Sequence, residues 1–299
     1  MGRDRQLAWV ESPLQLIAAA EFAAAQGRAI DVAFRLSGPQ MSATAQALLD
    51  LRAPFSTCAP YYGIPWRLLS ERRHWVVGDG LSGQFQLAMS TLGARAVTLL
   101  DDGIMTIRLA RALAGTAPYA RPGQAASQRR LLLASLTRDR LLAVAARESL
   151  TMFTAFAGHP AIRDLRRLGV AVTEDEFGWL RAHARPVALP SSRVVLGAAA
   201  VADGTITADR YLDWVQLAAK GDATYLPHRR EPEPLLSRIA ALPGVQLLRT
   251  GLPVELALAG TTKPLEIVSL RSTAAVTLRV VLAGNGSTIR MSDLIESVA

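Results

Sequence analysis

Short apolar runs alternate with longer amphipathic stretches along most of the chain, the pattern of parallel strands joined by crossover helices. Leu7 to Val10 reads as a strand, and Glu11-Ser12-Pro13 turns the chain into a helix from Leu14 to about Gln26, with Ser12 as N-cap and Pro13 in the first turn. Ile30 to Leu36 is the next strand, and a helix from about Met41 to Leu51 precedes an irregular stretch carrying Pro54, Pro60, Gly63 and Pro65. His74 to Val77 reads as a buried strand, Gly83 to Leu92 as a helix, and Ala96 to Leu100 as a strand that ends on Asp101-Asp102-Gly103. Pro118 to Gln128 reads as a surface loop, Leu150 to Phe156 as a strand and His159 to Leu168 as helical.

Ala184 to Ser192 is a Pro-containing connection and marks the expected boundary between an N-terminal domain, residues 1–185, and a C-terminal domain, residues 186–299. A second series follows: a strand over Arg193 to Ala199, which contains Gly197, a helix near Ala208 to Ala219, and a strand at Ala223 to Leu226. It continues with a helix near Pro234 to Leu242, strands at Val245 to Leu248 and Leu265 to Leu270, and a helix opened by Ser272-Thr273. The expected fold class is therefore α/β, with two Rossmann-like domains whose strand C-termini face a common cleft.

Composition adds bounds. At 299 residues the chain exceeds what one core usually organises. No apolar segment approaches the roughly 18 to 20 residues of a membrane span, and the charged start, Met1 to Arg5, leads straight into a strand, so no signal peptide is expected. Cys58 is the single cysteine, which excludes an intramolecular disulfide and a Cys-rich metal site and fits a reducing, cytoplasmic compartment.

The formal charge of +8 is almost wholly arginine, since only Lys220 and Lys263 are lysines. Guanidinium groups suit phosphate and carboxylate partners. The arginines are spread through helix-like stretches (Arg108, Arg111, Arg129, Arg130, Arg138, Arg140) without interleaved aromatics or a nucleic-acid module, so no nucleic-acid partner is expected. A solvated face is the ordinary reading of this charge, and a peripheral membrane footprint the sharper one.

Gly78-Asp79-Gly80-Leu81-Ser82-Gly83 is a literal G-x-G-x-x-G between strand and helix, with Asp101 at the end of the following strand. By itself it reads as dinucleotide binding, but two strand-helix units precede it, where such fingerprints belong to the first. Asp101-Asp102-Gly103 places two carboxylates at a strand end: one to deprotonate an attacking hydroxyl, its neighbour to orient it. The same pair reads equally as a helix cap, or as part of a metal site that lacks an apparent third ligand.

Pro227-His228-Arg229-Arg230-Glu231 follows a second-domain strand, and a histidine among arginines there suits proton or hydrogen-bond donation to a phosphate oxygen. Ser272-Thr273 opens a helix, where hydroxyls and backbone N–H groups cap the helix and bind a phosphate. Glu255 falls in the first turn of a short helix, favoured there in any case and able to accept from ribose hydroxyls.

In this order, with the opening Glu11-Ser12-Pro13-Leu14-Gln15-Leu16, these motifs resemble the bacterial sialyltransferases and polysialyltransferases, metal-independent glycosyltransferases of GT-B fold. The resemblance implies that Asp102 of the acidic-acidic-Gly motif is the general base, with Asp101 beside it. The family's His-Pro motif, its acid and phosphate ligand, is matched incompletely by His228-Arg229. The literal His159-Pro160 precedes the domain boundary and opens a helix. Ser272-Thr273 matches the paired hydroxyls that bind the CMP phosphate, and Glu255 would bind the ribose or base.

The implied reaction is an inverting transfer of sialic acid or a related nonulosonic acid from a CMP-sugar donor to a glycan acceptor, with Arg229, Arg230, Arg271, Gly197 and Ser12 as further candidate binding positions. CMP carries one phosphate, so neither metal nor other cofactor is expected. An acceptor anchored in the cytoplasmic leaflet would place the protein on the inner face of the plasma membrane. Three alternatives stay open: a GT-B transferase using another nucleotide sugar, a nicotinamide-dependent oxidoreductase using Gly78, Gly80, Gly83 and Asp101, and a non-catalytic glycan- or nucleotide-binding relative.

Overall fold

The structure, a computed structural model, describes residues 5–121 and 127–292. Most of the charged start and the middle of the Pro118 to Gln128 stretch lie outside the described residues. By its internal contacts the chain divides into two compact units, Met1–Trp179 and Leu180–Ala299. The Pro-containing segment 184–192 carries no helix or strand.

The first unit runs β1 (Leu7–Val10), α1 (Pro13–Ala25), β2 (Ile30–Arg35), α2 (Pro39–Asp50), β3 (Phe55–Tyr61), α3 (Trp66–Glu71), β4 (His74–Val77), α4 (Gly83–Thr91) and β5 (Ala96–Leu99). It continues with α5 (Ile104–Leu113), α6 (Gln128–Ala145), β6 (Leu150–Thr154), α7 (Pro160–Asp164), a 3-10 turn (Leu165–Leu168) and β7 (Ala171–Glu174), after which α8 (Gly178–His183) crosses the division between units. The seven strands form one parallel sheet in the order β3-β2-β1-β4-β5-β6-β7. Every residue of β1 is buried, as expected of a central parallel strand covered by helices on both faces.

The second unit runs β8 (Arg193–Leu196), α9 (Ala208–Ala219), β9 (Ala223–Leu226), α10 (Glu233–Ala240), β10 (Val245–Leu247), α11 (Val254–Leu258), β11 (Glu266–Leu270), α12 (Thr273–Val281) and β12 (Thr288–Ser292). Its five strands are parallel in the order β10-β9-β8-β11-β12. Tyr211, Val215, Tyr225, Leu236 and Ile239 form the centre of one of its cores.

The α/β class with two parallel sheets is as the apolar pattern predicts. The Pro54 to Pro65 stretch is not irregular throughout: it holds β3 and the start of α3. Pro60 lies in β3, which pairs with β2 alone, so its missing N–H is tolerated at the sheet edge.

In each sheet the chain builds outward from its first strand and then returns to that strand's other side. This puts one reversal point between β1 and β4 and the other between β8 and β11, the places where open parallel sheets bind ligands beyond the strand C-termini.

Candidate active site

In the first unit β5 delivers Asp101-Asp102-Gly103 to the head of α5. Asp101 is fully buried. Its Oδ1 accepts from the Gly103 amide (2.8 Å) and Thr106 Oγ1 (3.0 Å), and its Oδ2 from Thr154 Oγ1 and the Ala155 amide (both 2.9 Å). Burial raises its carboxyl above the usual range, and these four bonds act against that rise.

Thr106 Oγ1 also accepts from the Asp102 amide at 2.8 Å. Gly103 turns at φ +65°, ψ −132°, a backbone that a side chain would strain. With both oxygens occupied, Asp101 holds the turn. Asp102, half-buried beside it, is the carboxylate of the pair with solvent access.

At the β1/β4 reversal Ser12 caps α1 in a reciprocal box: the Gln15 amide donates to Ser12 Oγ (3.3 Å), and the Ser12 and Glu11 amides donate to Gln15 Oε1 (3.2 and 2.7 Å). Gln15 fills the space a Cβ on Gly78 would need, and Leu109 fills that of Gly80, while Gly83 is open. Tyr119 Oη donates to the Gly80 carbonyl (2.6 Å), and Asp79 is ion-paired with Arg121. The first two glycines of the fingerprint are thus packed by the chain itself, and Asp101 has no oxygen left for a ribose hydroxyl. This geometry does not suit a pyrophosphate.

His159 caps α7, its Nδ1 accepting from the Ala161 amide at 3.2 Å, so the literal His-Pro pair opens a short helix.

In the second unit three strand ends bring Gly197, His228 and Ser272-Thr273 to one edge of the sheet. His228 Nδ1 accepts from the Arg230 amide (3.2 Å), which leaves the neutral ring its proton on Nε2, a donor for an anionic oxygen. Burial, then the charges of Arg229 and Arg230, hold its pKa below the usual imidazole value, with Asp203 acting the other way. Arg230 is ion-paired with Asp203, and Arg229 is exposed.

Ser272 caps α12, its Oγ accepting from the Ala275 amide at 3.2 Å. The Ser269 hydroxyl donates to the Leu270 carbonyl, so in the 3.1 Å Ser269–Ser272 pair Ser272 is the donor. Ser272 therefore fixes the helix N-terminus, whose dipole favours an anion. Glu255 is buried on α11, and its Oε1 accepts from Thr277 Oγ1 of α12 at 2.6 Å.

Glu231, which ends the Pro227 to Glu231 motif but has no role assigned there, organises this edge with Tyr225 and Tyr211, which no motif includes. Buried Glu231 accepts from the His228 amide (2.7 Å) and Tyr225 Oη (2.5 Å); Tyr225 pairs with Tyr211 Oη (2.9 Å), which accepts from the Ala198 amide (2.8 Å). A Cβ on Gly197 would overlap the Glu231 carboxylate and the His228 amide, so Gly197 is the space that lets the β8 and β9 loops meet. The sequence signal for the tyrosines is Tyr225 in a short strand, three residues before His228. Among the described residues no group of three His, Cys, Asp or Glu side chains is arranged to hold a metal ion.

No protein-family model matches the chain, and no curated protein matches it. Among solved structures it is similar to Phytolacca americana UGT2 complexed with UDP-2-fluoro-glucose and pterostilbene, at TM-score 0.49 and 13% identity over 96% of this chain and 80% of that one. It is also similar to a UDP-glucose: anthocyanidin 3-O-glucosyltransferase in complex with UDP (TM-score 0.45, 10% identity, 99% and 83% covered). A third is the UDP-GlcNAc 2-epimerase from Neisseria meningitidis bound to UDP-GlcNAc (TM-score 0.46, 12% identity, 98% and 89% covered). At this similarity these likenesses carry no residue role or substrate over to the chain.

Proposed function

We propose that the protein is an inverting glycosyltransferase of GT-B type that moves sialic acid or a related nonulosonic acid from a CMP-activated donor to a hydroxyl of a cell-surface glycan. The supporting observation is the second-unit edge: an N-terminus of α12 capped by Ser272 at the β8/β11 reversal, with Gly197 on the same edge and a histidine whose neutral form carries its proton on Nε2. That edge suits a single phosphate without a metal.

In this reading the first unit takes the acceptor and the second the donor. The acceptor oxygen attacks the anomeric carbon as the bond to the CMP phosphate breaks. Asp102 removes the acceptor proton, with Asp101 holding its turn. The departing phosphate takes the bonding electrons and is stabilised by His228 Nε2–H, by Ser272, Thr273 and the helix dipole, and by Arg229. Glu255, tied to α12 through Thr277, is assigned to the nucleoside side.

The test is a thermal-shift titration of the purified protein with CMP, CDP, UDP, GDP and NAD, with and without EDTA, because a ligand of the native state raises the melting temperature. Selective stabilisation by CMP that survives EDTA, followed by transfer from a CMP-sialic acid donor, is the expected result. Selective stabilisation by UDP or GDP replaces the donor with another nucleotide sugar. Stabilisation by NAD alone, or by no nucleotide, overturns the transferase reading.

A further inference from the structure

α6 has 18 residues and so spans about 27 Å, twice the length of the 9-residue α4. Leading into β6, it runs back along the sheet as α4 does. Thr137 Oγ1 donates to the Gln86 carbonyl (3.3 Å) and Arg140 Nη1 to the Met89 carbonyl (2.6 Å), one step of three residues on each helix. The two helices therefore run in the same direction, offset by 51 residues.

Gly83, the first residue of α4, is level with Ala134, and residues 128–133 overhang it by about 9 Å at the end of the sheet that carries Asp102. In this overhang Leu131 and Leu132 are 56% and 72% exposed, with Leu136 one turn on at 41%. Ile104, two residues past Asp102 at the head of α5, is 65% exposed. α6 sets four arginines (Arg129, Arg130, Arg138, Arg140) against one acid, Asp139.

We propose that the overhang of α6, together with Ile104, is a docking surface for an anionic lipid bilayer. Leu131 and Leu132 enter the headgroup boundary while Arg129 and Arg130 meet lipid phosphates, the division of labour of an interfacial helix. Charge selects this occupant over a second copy of the chain, which would bring like-charged arginines together. No helix among the described residues is long and apolar enough to cross a membrane. The consequence for the reaction rests on the transferase reading: a bilayer at this rim presents a lipid-linked glycan to Asp102.

The experiment is cosedimentation of the full chain with vesicles of phosphatidylcholine alone and of phosphatidylcholine mixed with phosphatidylglycerol, at low and high salt. Binding is expected to need phosphatidylglycerol, to weaken with salt, and to fall about tenfold or more in the Leu131→Glu/Leu132→Glu variant. Leu217→Glu, on α9 and 59% exposed, is expected to bind as the parent does. Because the altered leucines are exposed, the melting temperature of the double variant should stay that of the parent.

Parent binding by the double variant, equal loss in Leu217→Glu, or no vesicle binding overturns the proposal. So does a dimer in light scattering that the double variant dissolves. No nucleotide enters this assay, so it stands or falls apart from the donor. Loss of transfer to a lipid-linked acceptor with transfer to a soluble one retained would then join the two.

Discussion

The backbone amide of His228 donates to the buried carboxylate of Glu231 at 2.7 Å, and through that carboxylate the His228 loop is tied to Tyr225, Tyr211 and the Ala198 amide. One acid thus fixes the loops of two neighbouring strands. Tyr225 Oη donates to its Oε1 and the His228 amide to its Oε2, so an isosteric amide keeps an acceptor on one side only.

Glu231→Gln is therefore expected to cost about 1–3 kcal/mol of stability, the penalty of a buried donor left unpaired. It should also lower the turnover of any transfer reaction more than it alters acceptor KM. Denaturant unfolding and steady-state kinetics check this, and Tyr225→Phe should show a milder form of both effects. A variant with parent stability would show that the carboxylate does not hold the loop.

Asp101 and Asp102 are adjacent in sequence and opposite in circumstance. Asp101→Asn turns an amide NH2 toward donors that now meet an acceptor, and is expected to lower stability by about 2–3 kcal/mol. Asp102→Asn, an isosteric change at a half-buried carboxylate, should cost less stability than Asp101→Asn at its fully buried one. Transfer should nonetheless fall by about a hundredfold or more. Full activity in Asp102→Asn would remove the general-base assignment.

What the sequence disclosed and what it concealed divide along burial. β1 announces itself, because a strand covered on both faces is a continuous apolar run, and β4 and β9 do so with one polar residue each, His74 and Thr224. β3, β7 and β12 are edge strands with mostly exposed or half-exposed residues, and their sequences carry no such run. The site divides likewise. That Asp102, His228 and Ser272 lie at strand ends before a helix is legible from local pattern. Asp101's bond to Thr154 spans 53 residues and that of Ala198 to Tyr211 spans 13, and no local pattern reports either.

Gly197 and Gly83 make a paired test of packing against fingerprint. A Cβ at Gly197 overlaps Glu231 and the His228 amide, whereas one at Gly83 meets nothing within 4 Å. Gly197→Ala is expected to cost about 1–3 kcal/mol by overpacking and to abolish whatever nucleotide stabilisation the parent shows. Gly83→Ala, at the first position of α4, should be neutral or slightly stabilising. If Gly83→Ala instead abolished nucleotide binding, the glycine-rich loop would regain its claim to the ligand.

His74 sets a pH dependence of stability whose sign follows from its contacts. The Gln6 side-chain amide donates to its Nδ1 at 3.0 Å, so the neutral ring carries its proton on Nε2 and donates to Thr98 Oγ1 at 2.9 Å. Burial first, and then the charge of Arg28, lowers its pKa to about 4. The unfolded chain takes up this proton near the ordinary value of about 6.5, before the folded protein does. The contribution is thus complete above about pH 6.5 and is lost as the pH falls toward 4, amounting to roughly 2 kcal/mol between pH 6.5 and 5. His228, also lowered, adds in the same direction. Asp101, Asp175 and Glu231, whose carboxyls are raised by burial, act in the opposite one. The difference between parent and variant isolates the ring from those background groups. Denaturant unfolding at pH 7 and pH 5 should show His74→Gln less stable than the parent at pH 7 and distinctly less sensitive to acid. Equal losses in the two proteins would move the acid sensitivity to other groups.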